Sequence, residues 1–253
     1  MRKIRYLNVI KELSWGDFKL KYYGSFFGLF WSFLKPLFML SILYLVFFFF
    51  LKVDIENYVW FLLLGIIFWN FFADATKDSM QNMVAKAHIL KNVNIPPFVI
   101  IVSSLLHSFW TFMIGLLAFF ILLFVFGFYP GESIMLFPYF IILLMLLTAG
   151  ISFIVVPLSV RFKDFNHMWD IFLQMLFWIT PIAYQHFIVP EAYMKWYLLN
   201  PIARVIIEAR TTVIYSTFPE GKQIFITTLI VLCIFIVGFT LFKKMSRSLV
   251  EQL

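Results

Sequence analysis

Residues 98–128 read FVIIVSSLLHSFWTFMIGLLAFFILLFVFGF, and no Asp, Glu, Lys or Arg interrupts them. A bilayer hydrocarbon core of about 30 Å is crossed by about 20 apolar residues in a helix. This stretch exceeds that length, so it predicts a tilted span or one with a protruding end. Working outward, five more stretches qualify: 31–51, 58–73, 133–160, 166–184 and 224–242. The composition agrees. Hydrophobic types make up 63% of the 253 residues, against roughly 45–50% in soluble proteins. Charged types make up 13%, where ~25% is usual. A water-soluble globule has no means of hiding 35 Phe, 8 Trp and 11 Tyr in such a chain. Disorder, a disulfide scaffold and a cytosolic enzyme are excluded as the main description. The single Cys233 forms no internal disulfide. The reading is all-α, a polytopic membrane protein with six transmembrane helices.

The net charge of +7 follows from topology. With the N-terminus inside, only Lys52, Lys195, Arg204, Arg210 and Lys222 of the 20 Lys and Arg fall on outer segments. Cytoplasmic loops carry the excess of Lys and Arg, so both termini are expected in the cytoplasm. The basic excess therefore predicts no nucleic-acid partner. Charges scattered through residues 1–21 leave no signal-peptide core. Within 5–13, Tyr6, Leu7, Val9, Ile10 and Leu13 share a face opposite Arg5, Asn8 and Glu12, which predicts an amphipathic helix suited to the interface. Asn70, Asp74, Asp78 and Gln81 continue a helical stripe beyond the second span, and Asn94-Ile95-Pro96-Pro97 breaks the chain before the third. Residues 185–223 are too apolar for a solvated loop and are cut by Pro190, Pro201 and Pro219. Such short pieces predict interfacial or re-entrant helices, in which Arg204 and Glu208 stand at i, i+4 and can pair.

Catalytic signatures are missing. The chain has no GxxxxGK[ST], HExxH or GxSxG pattern and no clustered acids that would hold a metal. The informative pattern lies in the fifth span. His167, Asp170, Gln174, Trp178 and Pro181 fall within about 80° of one another on a helix. Polar groups in a span face protein or water. The stripe fits a polar helix–helix seam or the wall of a passage, and periodicity leaves both open.

Three motifs make the chain recognisable. Residues 22–31, YYGSFFGLFW, run into Lys35-Pro36-Leu37; residues 160–165, VRFKDF, lead to 177–184, FWITPIAY; and Leu199-Asn200-Pro201 precedes the helix of Glu208. In order and spacing the chain resembles the membrane subunit of ABC-2 type polysaccharide exporters, a family that includes O-antigen and teichoic-acid permeases. Lys35 stands where many members carry Asn or Gln. The resemblance implies an export subunit with no catalytic residue or cofactor of its own. ATP and Mg would sit on two copies of a separate ABC ATPase subunit, and the permease would act as a homodimer in the inner or plasma membrane. Residues 1–30 would form a cytoplasmic interface segment and 31–253 the six-span domain. A coupling helix at about 77–91 would present Lys77, Asp78, Gln81, Lys86, His88 and Lys91 to the ATPase. Tyr44 of the first span and the stripe from His167 to Pro181 would line the channel. Lys19, Lys21, Tyr22 and Lys35 would meet a lipid head group at the cytoplasmic mouth. An outer gate at about 185–210 would hold Tyr184, Asn200, Pro201, Arg204 and Glu208. The substrate would be a lipid-linked glycan, of O-antigen, capsular or teichoic-acid type. An ion-coupled transporter or channel is the alternative outside this class; it requires more intramembrane charge than Asp170 and its neighbours supply.

Overall fold

The computed structural model describes residues 2–24, 28–93, 95–185 and 188–252. Ser25 to Phe27 of the entry motif and Asn94 of the helix break lie outside the described residues, as does the side chain of Tyr22. Every regular element among the described residues is helical. In chain order they are α1 (Arg2–Tyr22), α2 (Trp31–Tyr44, continued by a π-helical turn over Leu45–Phe50), α3 (Tyr58–Ala85), α4 (Ala87–Val93), α5 (Phe98–Val125), α6 (Phe137–Arg161), α7 (Phe165–Ile179), α8 (Glu191–Tyr197), α9 (Pro201–Val213) and α10 (Gly221–Gln252). Short 3-10 turns precede α2 and α6.

Five of these helical stretches are long and apolar enough to cross a membrane: Trp31–Phe50, Tyr58–Ala85, Phe98–Val125, Glu132–Arg161 and Gly221–Ser246. The expected fifth span, 166–184, is helical only to Ile179. The reason is local. Pro181 clashes with helical geometry in the residue before it, and Thr180 is extended, with ψ 138°.

α3 is the axis of the bundle. Its run from Phe61 to Trp69 is apolar on every side, and a helix of that kind seeks burial all round. Accordingly 78% of its apolar window is buried, against 6% for the first span. α5, α6, α2, α9 and α7 surround it. α6 and α10 pack closest, because Gly150 and Gly238 let their backbones touch; a Cβ on Gly150 would stand 2.8 Å from Phe235 Cα.

α1 is longer than its expected 5–13, and its apolar face is spent on protein. Ile10, Ser14 and Phe18 are buried. Tyr6 meets Phe98 and Phe18 meets His107, each with ring centroids 6.3 Å apart, so α1 climbs along the first turns of α5. Leu7, grouped with that face by periodicity, is instead 66% exposed.

Candidate functional site

The C-terminal end of α3, with Lys86 just past it, gives charged groups to α2, α7, α5 and α1. Asp74 pairs with Lys35 of α2 at 3.2 Å, and Lys77 pairs with Asp170 of α7 at 2.6 Å. Asp78 accepts a hydrogen bond from Ser108 of α5 at 2.9 Å, with His107 Nε2 3.8 Å away. Lys86, just past α3, pairs with Asp17 of α1. Beside them, Trp169 Nε1 donates to Thr76 Oγ1 at 3.1 Å. The side chains of Lys35 and Asp74 are 62% and 34% exposed, and those of Lys77 and Asp170 36% and 46%. Pairs that wet contribute about 1 kcal/mol or less. Their effect is on where α2 and α7 stand, not on whether the bundle folds.

Between α2, α3 and α7 lies a groove of about 570 Å³. Lys35, Asn70, Lys77, Asp170 and Gln174 supply its polar lining, and Phe38, Trp69, Phe177 and Trp178 its aromatic lining. Three members of the predicted stripe thus come together: Asp170, Gln174 and Trp178. The other members do not join them. His167 is exposed outside the lining. Pro181 is buried at the end of the bundle that holds α9, because the chain leaves the helix at Thr180. Tyr44 stacks on Phe48 at 4.7 Å and tilts against Tyr58 at 6.0 Å, away from the groove. The expected single wall is therefore a shorter patch.

The predicted coupling segment also divides. No Pro or Gly breaks 66–85, so α3 runs through Lys77, Asp78 and Gln81 to Ala85, and α4 starts afresh after Lys86. Lys77, Asp78 and Lys86 are turned to other helices, while Gln81, His88 and Lys91 are exposed. At the predicted mouth, Lys19 is exposed and lies over the Trp15 ring at 5.5 Å. Lys21 and Lys35 line a second cavity, which shares Lys35, Phe38 and Asn70 with the first.

The opposite end of the bundle, around Tyr58 and Phe61, is knitted by α9. Asn200 caps it, accepting from Ala203 N at 3.3 Å, and donates to Thr180 Oγ1 at 3.0 Å. Pro201 opens the helix, where its missing N–H costs nothing. Tyr184 closes the end of α7 by donating to the carbonyls of Trp178 and Ile179 at 2.9 and 3.0 Å. Arg204 and Glu208 do not form the expected ion pair. Arg204 donates to Leu198 O at 2.5 Å and to Gln223 Oε1 at 3.1 Å, and Glu208 accepts from Thr227 at 2.5 Å. Both turn to partners outside their own helix, which burial makes better than each other. Burial pushes the Glu208 carboxyl above the usual carboxylate range, against the opposing pull of the Thr227 hydrogen bond and the Arg204 charge.

Arg210 escaped the sequence reading, which counted it only as an outer charge. It is the largest fully buried side chain among the described residues. Its guanidinium donates to Phe61 O at 3.0 Å, to Ile182 O at 2.9 Å and to Pro181 O, and lies 3.5 Å from the Phe61 ring centroid. It rivets α3, the strand-like end of α7 and α9 together. The available signal was its place on the apolar face of α9, beside Ile202, Val205, Ile206, Ala209 and Val213.

Residues 8–214 match the ABC-2 type transporter family. Two O-antigen export system permease proteins RfbA of Klebsiella pneumoniae are similar throughout. One is 30% identical over 239 residues, covering 94% of this chain and 92% of its own length, and the other is 29% identical over 238 residues, with the same coverage. The O-antigen export system permease protein RfbA of Myxococcus xanthus is 20% identical over 251 residues, covering 98% of this chain and 96% of its own.

Proposed function

This chain belongs to the ABC-2 type transporter family, and on that premise we propose that it is the permease subunit of an ATP-driven exporter that moves a lipid-linked, O-antigen-like polysaccharide out of the cytoplasm. One observation carries the reading: similarity to O-antigen export permeases over 94% of this chain and 92% of theirs. The permease makes and breaks no bonds. Two copies of a separate ABC ATPase subunit drive it, and two copies of this chain face each other across the passage.

Six crossings fit this reading better than five, because they leave both termini on the side where Lys and Arg gather. α7 runs antiparallel beside α3, with Trp169 and Asp170 level with Thr76 and Lys77, and Ala183 O level with Tyr58, whose hydroxyl donates to it at 2.6 Å. From Tyr58 to Lys77 a helix rises about 28 Å, close to the ~30 Å of a hydrocarbon core. α7 and its extended tail therefore match the depth of a full crossing. α8 and α9 then form the outer gate. The exposed Gln81, His88 and Lys91 beside α4 meet the ATPase, whose closure moves α3 and, through the Lys77–Asp170 and Lys35–Asp74 pairs, α7 and α2. The groove between them is the part of the passage that each subunit contributes.

Reconstitution tests the proposal. Vesicles holding this chain together with its companion ATPase are expected to translocate lipid-linked glycan only with ATP. Vesicles holding the chain alone are expected to move none. Transport by the chain alone would refute the reading.

A further inference from the structure

A second cavity, of about 500 Å³, lies between the end of α1, α2, α3 and α5. Its lining changes character in the same direction on three helices. On α3 the order outward from the cytoplasm is Asp78, Asp74, then Ile67. On α2 it is Lys35, then Phe38, and on α5 it is Ser108, then Phe112. All four charged side chains gather toward one end, and beyond them Asn70 and Thr111 alone interrupt an apolar lining, as suits an amphiphile with its head toward the cytoplasm. Phe38 is 57% exposed, so the apolar end is open at the surface of the single chain.

The charges choose the head group. Lys21 and Lys35 face Asp74 and Asp78, so the cavity offers two cations and two anions and no net charge. A diphosphate would meet both carboxylates along with the amines. A neutral head group carrying both signs meets each with its opposite. Asp74 is engaged by Lys35. Asp78 takes one hydrogen bond from Ser108 through Oδ2, which leaves its other oxygen acceptor capacity. Lys21 forms no ion pair within 4.0 Å among the described residues. A primary ammonium gives three N–H donors to such carboxylates, whereas a trimethylammonium gives none.

We propose that this cavity is a binding site for a zwitterionic aminophospholipid of the phosphatidylethanolamine class, with the phosphate toward Lys21 and Lys35 and the ammonium toward Asp78. The site adjoins the groove of α7, with which it shares Lys35, Phe38 and Asn70, but Lys21, Asp78 and Ser108 line it alone.

Native mass spectrometry of the full chain in detergent tests it. The chain is offered equimolar phosphatidylethanolamine, phosphatidylcholine, phosphatidylglycerol and undecaprenyl diphosphate. The expected result is retention of phosphatidylethanolamine over the other three by about tenfold, the ratio set by one charge-assisted hydrogen bond. Asp78→Asn should abolish the preference over phosphatidylcholine. Lys21→Ala, which breaks no described ion pair, should weaken retention of both ethanolamine and glycerol lipids, and it decides the matter if the first variant fails to fold. Equal retention of phosphatidylcholine or phosphatidylglycerol by the unaltered chain would overturn the proposal. So would displacement by undecaprenyl diphosphate, which would assign the cavity to the export substrate instead. Unchanged lipid preference in both variants would also overturn it.

Discussion

Arg210 does at the residue scale what no apolar side chain in its place would do. The backbone over Pro181 and Ile182 has left the helix, so its carbonyls lack helical donors, and at membrane depth an unmet carbonyl is costly. One planar guanidinium meets both and reaches Phe61 O as well. A compact ammonium lacks that fork. Arg210→Met and Arg210→Lys are therefore both expected to destabilise the protein, Met by about 3 kcal/mol or more and Lys by less. A thermal melt of the purified chain in detergent reads the effect, and Lys melting with the parent protein would discount the fork. Gly65 belongs to the same contact, since a Cβ there would strike Arg210 Nη2. Gly65→Ala should lower the melting temperature in the parent and have a smaller effect in an Arg210→Met background, because the clash is then gone. None of this was legible from periodicity. A pattern of apolar positions says which face of α9 is buried, but not that one long cation on that face finds carbonyls to satisfy it.

At the scale of elements, α7 shows how far helical periodicity reaches and where it stops. Its polar residues do gather on one side of a groove, because 3.6 residues per turn puts 170, 174 and 178 in line. The same arithmetic included Pro181, although proline ends the helix that the arithmetic assumes. The expected coupling stretch is divided for the opposite reason: with no breaker in 66–85, α3 continues, and Lys77 is carried round to face Asp170. That pair joins the axis helix to α7 while adding about 1 kcal/mol or less to stability. Lys77→Asp should thus leave the melting temperature within about 4 °C of the parent but cut ATP-driven export, because like charges now push α7 from α3. Adding Asp170→Lys restores the opposite pairing and is expected to recover export. If the double variant is no better than the single one, the pair does not transmit the motion.

The whole molecule presents lipid with two kinds of outer face, and they differ in a way that locates a partner. Between Phe225 and Phe239, α10 exposes Phe225, Leu229, Leu232, Cys233, Ile236, Val237 and Phe239, with no charged, amide or imidazole side chain among them. α7 exposes Ile171, Met175, Trp178 and Ile179 together with His167 and Gln174. Hydrocarbon accepts the first face as it stands. On the second, polar groups turned to lipid cost up to roughly 2.5–3.5 kcal/mol for a charge at mid-depth, so that face belongs against protein or water. The first span stands beside the same groove and is the least buried of the five long helices. A second copy of the chain closing over α2 and α7 would cover both and enclose two grooves as one passage. Single cysteines in a Cys233→Ser background check this in native membranes. Met175→Cys is expected to give a disulfide-linked dimer under mild oxidation, and Ile236→Cys on α10 is not. Dimers from Ile236→Cys alone would place the contact on α10. The passage would then have to run through each subunit, where α3 fills the bundle.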